Sequence, residues 1–207
     1  MFFQAVQYFI FLFHSKNQHG VHSPFVYRFI TRCLYTKVNA NSIAEFKKIQ
    51  KQVLLGKRIN NANYSLKKAT ILMQLCQYFK PTAILEIGTS TDFTTSIVQA
   101  STTSARITPL ENFTETAQIA QNQSYDLILF GGNCSKEEAI ASFENCLLGT
   151  HNKTVFVIQA IYKNNERVAL WEFIKAHPKV TVTVDVFECG IVFFRKEQEK
   201  EHFKIRV

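Results

Sequence analysis

The chain has 207 residues, of which 46% are hydrophobic and 19% charged, and it carries 19 Phe. That composition excludes a disordered or fibrous chain and leaves room for one α/β domain with a full core and a short appendage. The five Cys are widely spaced and form no CxxC pair, which excludes a zinc ribbon or a disulfide framework and fits reduced thiols in a cytoplasmic protein. The formal charge is +8, and its Lys-rich share lies in residues 47–68 and in the tail. Without an RNA-binding motif beside it, such a run reads as a solvated helix face, and nucleic acid is not an expected partner.

In chain order, residues 1–16 (MFFQAVQYFIFLFHSK) come first. They lack a basic leader and a small-residue cleavage site, and the apolar stretch ends by His14, too short to span a bilayer. The segment predicts a helix that docks on the domain or on a partner subunit, and an exposed apolar face there would favour a homodimer. A turn follows around residues 19–24. His14, His19 and His22 lie close in sequence but lack ligand spacing or an accompanying carboxylate, so no metal is expected. Residues 1–64 read as a helical extension and residues 65–207 as an alternating strand–helix domain.

Within that domain a helix is predicted over 66–79, stopped by Pro81. A buried strand follows at 83–87 (AILEI) and runs into Gly88, Thr89 and Ser90, after which a helix opens over 94–99. A second strand at 106–110 ends in Glu111, and a helix over 114–121 with Thr114 as N-cap comes next. A strand at 125–130 ends in GGNC (131–134). Ser135 and Glu138 form a capping box for a helix to 147. A strand at 154–158 ends in QAI (159–161), a helix spans 165–176, and strands at 180–187 and 191–195 form a tight antiparallel hairpin.

A strand, a Thr/Ser-rich turn and a helix start is how a doubly wound sheet receives a nucleotide-like ligand. Five blocks in order, HGVHSPFVY, ILEIGTS, LEN-x-x-ETA, YDLI-x-x-x-GN and GIVFFRKEQ-x-KEHFKIRV, together resemble class I S-adenosylmethionine-dependent methyltransferases, in the subfamily marked by HGVHSPFV. The resemblance implies a Rossmann-like three-layer α/β sandwich with a C-terminal antiparallel hairpin. It implies the sheet order 2-1-4-5-7-6, with strand 3 deleted because residues 111–125 hold only a helix and a turn.

The same resemblance implies methyl transfer from S-adenosylmethionine to a small-molecule or protein acceptor, with the cofactor on Glu86, Gly88, Thr89, Ser90 and Glu111. Gly88 would let the backbone approach the methionine moiety, Glu86 would orient the loop and meet the amino group, and Glu111 would hold the ribose hydroxyls. The chain departs from the family pattern at Asp92, where relatives carry Gly. It departs again at GGNC and QAI, where Gly131, Gln159 and Ala160 replace acidic residues. Two readings therefore stay open: turnover, or an inactive relative that binds a partner protein. In the second, Asp92 and Phe93 are the side chains placed to fill the pocket.

Overall fold

The structure is a computed structural model that describes residues 2–38, 40–55, 65–88, 92–102, 104–111, 113–116, 119, 123–132 and 134–207. Seven strands form one sheet: β1 (Ala83–Ile87), β2 (Arg106–Leu110), β3 (Leu127–Phe130), β4 (Val155–Gln159), β5 (Val182–Asp185), β6 (Cys189–Phe193) and β7 (Glu201–Lys204). Their spatial order is β2-β1-β3-β4-β6-β5-β7. β1 to β4 run parallel, and β6 is antiparallel to both β4 and β5. This is the expected order, with β7 added parallel to β5 at the far edge. Pro109, which has no N–H to give a ladder, sits in β2 at the opposite edge.

The inner parallel strands β1, β3 and β4 are apolar at nearly every step because both faces are buried, whereas β2 at the edge exposes Arg106 and Pro109. Successive side chains alternate between two cores. Ile84, Leu127, Leu129, Val155 and Val157 face one, and Leu85, Ile87, Ile128, Phe130, Phe156 and Ile158 face the other. The first is covered by α2 (Pro24–Phe29), α3 (Ala40–Leu55), α4 (Leu66–Phe79) and α5 (Asp92–Ser101). The second is covered by α6 (Lys136–Cys146) and α7 (Asn165–Ala176), so the molecule is a three-layer sandwich.

The N-terminal helix α1 (Phe2–His14) docks on its own chain. Tyr8 and Phe11 meet the Phe187 ring at 4.8 and 5.5 Å, and Phe11 alone of the helix is buried. α2 enters the first core, where Val26 and Phe29 are fully buried and Phe29 meets Phe193 edge-on at 5.2 Å. Ser23 caps α2, its Oγ accepting from the Val26 N–H, with Pro24 in the first turn.

One predicted element changes form. The helix expected over 114–121 begins instead as a 3-10 turn, Phe113–Glu115. The cap role expected of Thr114 lies outside what is described. β7 went unpredicted because Glu201–Lys204 is mostly polar and exposed, as an edge strand tolerates.

Candidate functional site

The carboxyl ends of β1, β2 and β3 are tied together by backbone. The Gly88 N–H donates to Leu110 O at 2.9 Å, and the Gly131 N–H donates to Ile87 O at 2.8 Å. Gly88 adopts φ +58°, a region that favours glycine, so the chain turns sharply off the strand with its backbone bare. Glu86, two residues earlier, is fully buried. Its Oε2 accepts from Thr95 Oγ1 at 2.5 Å, while Oε1 is buried without a partner among the described residues. Burial pushes this carboxyl above its ordinary range, and the Thr95 hydrogen bond offsets part of that. Glu111 stands exposed past the end of β2. The structure thus brings Glu86, Gly88 and Glu111 to one sheet edge. Thr89 and Ser90 lie outside the described residues.

The space over Gly88 is taken by a ring. A Cβ built on Gly88 would fall 2.2 Å from Cζ of Phe113, so the aromatic edge rests directly on the bare backbone. Its turn is pinned from below. Thr116 Oγ1 donates to Phe113 O at 2.6 Å, and Asn145 Nδ2 of α6 donates to Thr116 Oγ1 at 3.2 Å. This corrects the expectation for Phe93, which is buried away from the loop against Phe46, 5.6 Å between ring centres. The Asp92 side chain is outside what is described. Phe113 follows two residues after Glu111, and only the 3-10 turn reveals where its ring goes.

At the ends of β3 and β4 the GGNC and QAI loops touch each other. A Cβ on Gly132 would lie 3.0 Å from that of Ala160, which itself sits at φ +55°. Two cations bind the loops together. Lys163 Nζ donates to Gly132 O at 3.1 Å, and Arg167 Nη2 donates to Gln159 O at 2.5 Å. Arg167 Nη1 also reaches Cys134 Sγ at 3.5 Å. Arg167 is 2% exposed, its Nε has no partner among the described residues, and burial holds its guanidinium below its ordinary pKa. Sequence reading missed this residue, whose only signal is its place in the first turn of α7. No group of three His, Cys, Asp or Glu able to hold a metal occurs among the described residues.

Comparison with known proteins gives a fold and no closer kinship. No protein-family profile and no curated protein matches the chain. Among solved structures, the SAH-bound methyltransferase PaMTH1 of Podospora anserina aligns at a TM-score of 0.57 with 10% identity, over 85% of this chain and 97% of that one. Cofactor-bound Rv0187 from MTB aligns at 0.55 with 13% identity, over 86% and 99%. The methyltransferase MycE, solved with Mg, SAH and mycinamycin VI, aligns at 0.53 with 10% identity, over 73% of this chain and 54% of that one. The chain has the methyltransferase fold. No helix among the described residues is long and apolar enough to cross a membrane.

Proposed function

We propose that this chain is an S-adenosylmethionine-dependent methyltransferase-family protein that takes its cofactor across the carboxyl ends of β1 and β2. The observation that carries this reading is the orphaned, fully buried Oε1 of Glu86 beside a bare Gly88. A buried carboxylate oxygen without a partner costs stability, and an ammonium group of a ligand is the partner it lacks. The donor set therefore fits, on condition that the Phe113 ring leaves Gly88. Glu86 would accept from the amino group, Gly88, Thr89 and Ser90 would line the methionine portion with backbone, and Glu111 would accept from ribose hydroxyls. The cofactor supplies an activated methyl group, and transfer asks the protein chiefly for alignment of an acceptor rather than for a base.

A second reading has its own support: the ring on Gly88, neutral Gly131, Gln159 and Ala160, and loops tied by Lys163 and Arg167 suit a protein that binds a partner without turnover. Calorimetric titration with S-adenosylmethionine and S-adenosylhomocysteine separates the two. Micromolar binding lost in Glu111→Ala supports the first reading. A folded protein that gives no heat at millimolar ligand overturns it in favour of the second.

We further propose a second copy as the partner on α1. Phe2, Phe9 and Phe13 are 84%, 72% and 88% exposed on the face away from the docked Phe11, with Val6 and Ile10 between them. The 4-3-4 spacing of residues 2, 6, 9 and 13 is a helix-pair seam, and residues 2–13 carry no charge to oppose self-pairing. Three aromatics at about 150–250 Å² each bring roughly 400–600 Å² per copy, so a pair approaches the ~1,200 Å² of the smallest stable interfaces.

A further inference from the structure

We infer that the sheet edge opposite the proposed cofactor place carries a second binding site, one that takes a phosphate group. The site is a cleft of about 440 Å³ where the end of α1, the turn before α2 and β7 meet. It is lined by His14, Lys16, His22, Glu201, His202 and Lys204. Neither end of this arrangement touches the β1–β2 edge, since β7 and β2 are the two outermost strands. The site therefore stands or falls independently of the methyltransferase reading.

The chain fixes these groups by backbone. The Lys16 N–H donates to Lys204 O at 2.8 Å and the Arg206 N–H donates to Lys16 O at 3.1 Å, a parallel bridge that holds the two lysines on neighbouring strands. The Lys16 stem then lies flat on Gly20, where an added Cβ would fall 2.9 Å from its Cδ. Any larger residue at 20 would push that stem, and with it the ammonium, out of place.

Of the three cleft histidines, His14 and His202 are each held through Nδ1. His14 Nδ1 lies 2.8 Å from Ile10 O, which can only accept, so this nitrogen carries a proton. His202 Nδ1 lies 2.9 Å from Thr183 Oγ1, directly across the β5–β7 register. With the hydroxyl donating, the neutral ring carries its proton on Nε2 and is itself a donor. Burial, with Lys175 and Lys200 nearby, favours that neutral form by holding the imidazole below its ordinary pKa.

The lining holds two lysines, three histidines and one carboxylate, Glu201, with Asp185 near Lys204 and Glu172 near His202 behind it. The N–H donors of the two ammonium groups and of His202 Nε2 outnumber the two oxygens of a monocarboxylate and suit a phosphate group with its several acceptor oxygens. The cleft is large enough for a small phosphorylated molecule and also for a phospholipid headgroup. Both sources present the same chemistry, and the test below separates them.

The test follows the imidazole nitrogens of the full chain by NMR while inorganic phosphate is added. Of the six His, His14, His22 and His202 line the cleft, and His151 and His177 serve as internal controls. The expected result is saturable movement of the three cleft rings, with a Kd on the order of 1 mM for the bare anion. Lys16→Gln and Lys204→Gln, each checked for an unchanged melting transition, should weaken it about tenfold, as loss of one charge-assisted contact does.

Sedimentation with phosphatidylcholine vesicles, with and without phosphatidic acid, runs alongside. Binding that needs phosphatidic acid and is lost in both lysine variants assigns the headgroup, whereas free phosphate saturation without vesicle binding assigns a soluble ligand. Control rings that shift as far as the cleft rings, acetate acting as strongly as phosphate, or lysine variants that bind undiminished would each overturn the site.

Discussion

Replacing Phe113 by Ala should loosen the fold and tighten ligand binding at the same time. The ring is half-buried and rests on Gly88, where the proposed cofactor would have to lie. Full burial of a Phe side chain contributes about 1.5–3 kcal/mol, so a half-buried ring holds the covered state by about 1–1.5 kcal/mol. A ligand that must first displace it loses affinity by that factor, because only the uncovered fraction binds. At about 1.4 kcal/mol per tenfold, Phe113→Ala should bind S-adenosylhomocysteine roughly five- to twelvefold more tightly than the parent chain. The same truncation removes packing between the turn and β1, and should lower Tm by about 2–6 °C for a chain of this size.

Calorimetric titration of both proteins, with a thermal melt of each, supplies the two numbers. Glu111→Ala placed on the Phe113→Ala background should then cost the affinity gained and more, since the ribose contact is lost while the space stays open. A variant that melts lower yet binds no tighter would refute the reasoning: the ring would be packing, with no bearing on the ligand. Phe113 acts here as a cover over the site, and the fold loss by itself cannot mimic a gain in affinity.

Further outcomes follow from the same geometry. Glu86 has a raised folded pKa, so its contribution to stability is fully present below the ordinary carboxyl range and lost as pH rises through the folded value. Glu86→Gln should therefore raise Tm at neutral pH and flatten its fall between acid and neutral pH, while weakening cofactor binding; a variant with unchanged pH slope would count against the buried charge. Ser135→Ala removes the hydroxyl that accepts from the Glu138 N–H, leaving the Ser135 N–H bond to Glu138 in place, and should cost about 1 kcal/mol in denaturant unfolding. Gly190→Ala would place a Cβ 2.4 Å from the Trp171 ring and should cost about 1–3 kcal/mol or more by overpacking, read in the same assay. Phe9→Glu with Phe13→Glu should convert a dimer to a monomer in light scattering without lowering the melt, since both side chains are exposed; a parent chain that is already monomeric at high concentration would remove the α1 proposal.

The sequence made the scaffold legible wherever a local signal agreed with the final packing. α4 spans Leu66–Phe79 as its apolar spacing and Pro81 require, and α7 spans Asn165–Ala176 under the Asn164 cap. β1 falls where its apolar run places it, because a strand buried on both faces must be apolar at nearly every step, and β2, a partly exposed edge strand, spans the expected 106–110. The hairpin partners were found, although β5 is shorter than the expected 180–187, with Phe187 at φ +68° following its early end, and β6 begins two residues before the expected 191–195.

What escaped depends on contacts distant in sequence. The Phe113 ring is aimed by Thr116 and by Asn145 on another helix, and no window around residue 113 contains that information. Arg167 reads as an ordinary surface charge near a helix start until the QAI and GGNC loops close around it. The HGVHSPFV block and the charged tail gave no hint that they meet, yet Ser23 Oγ donates to Gln198 Oε1 at 3.3 Å and Lys16 bridges to Ile205.

Glu86 and Arg167, both buried and incompletely satisfied among the described residues, decide how the proposed cofactor edge should be interrogated. Packing alone gives no reason to keep a carboxylate at Glu86: an apolar side chain would complete the first core and remove an unpaired oxygen. Arg167 is different, because its guanidinium already satisfies the Gln159 carbonyl and holds two loops closed, so a structural role accounts for most of its cost. Substitution should therefore separate them by sign. Removing the charge at Glu86 should stabilise the ligand-free fold and harm binding, the signature of a group kept for a ligand. Removing it at Arg167 with Arg167→Met should release the QAI loop and lower Tm, whether or not the protein binds anything at all.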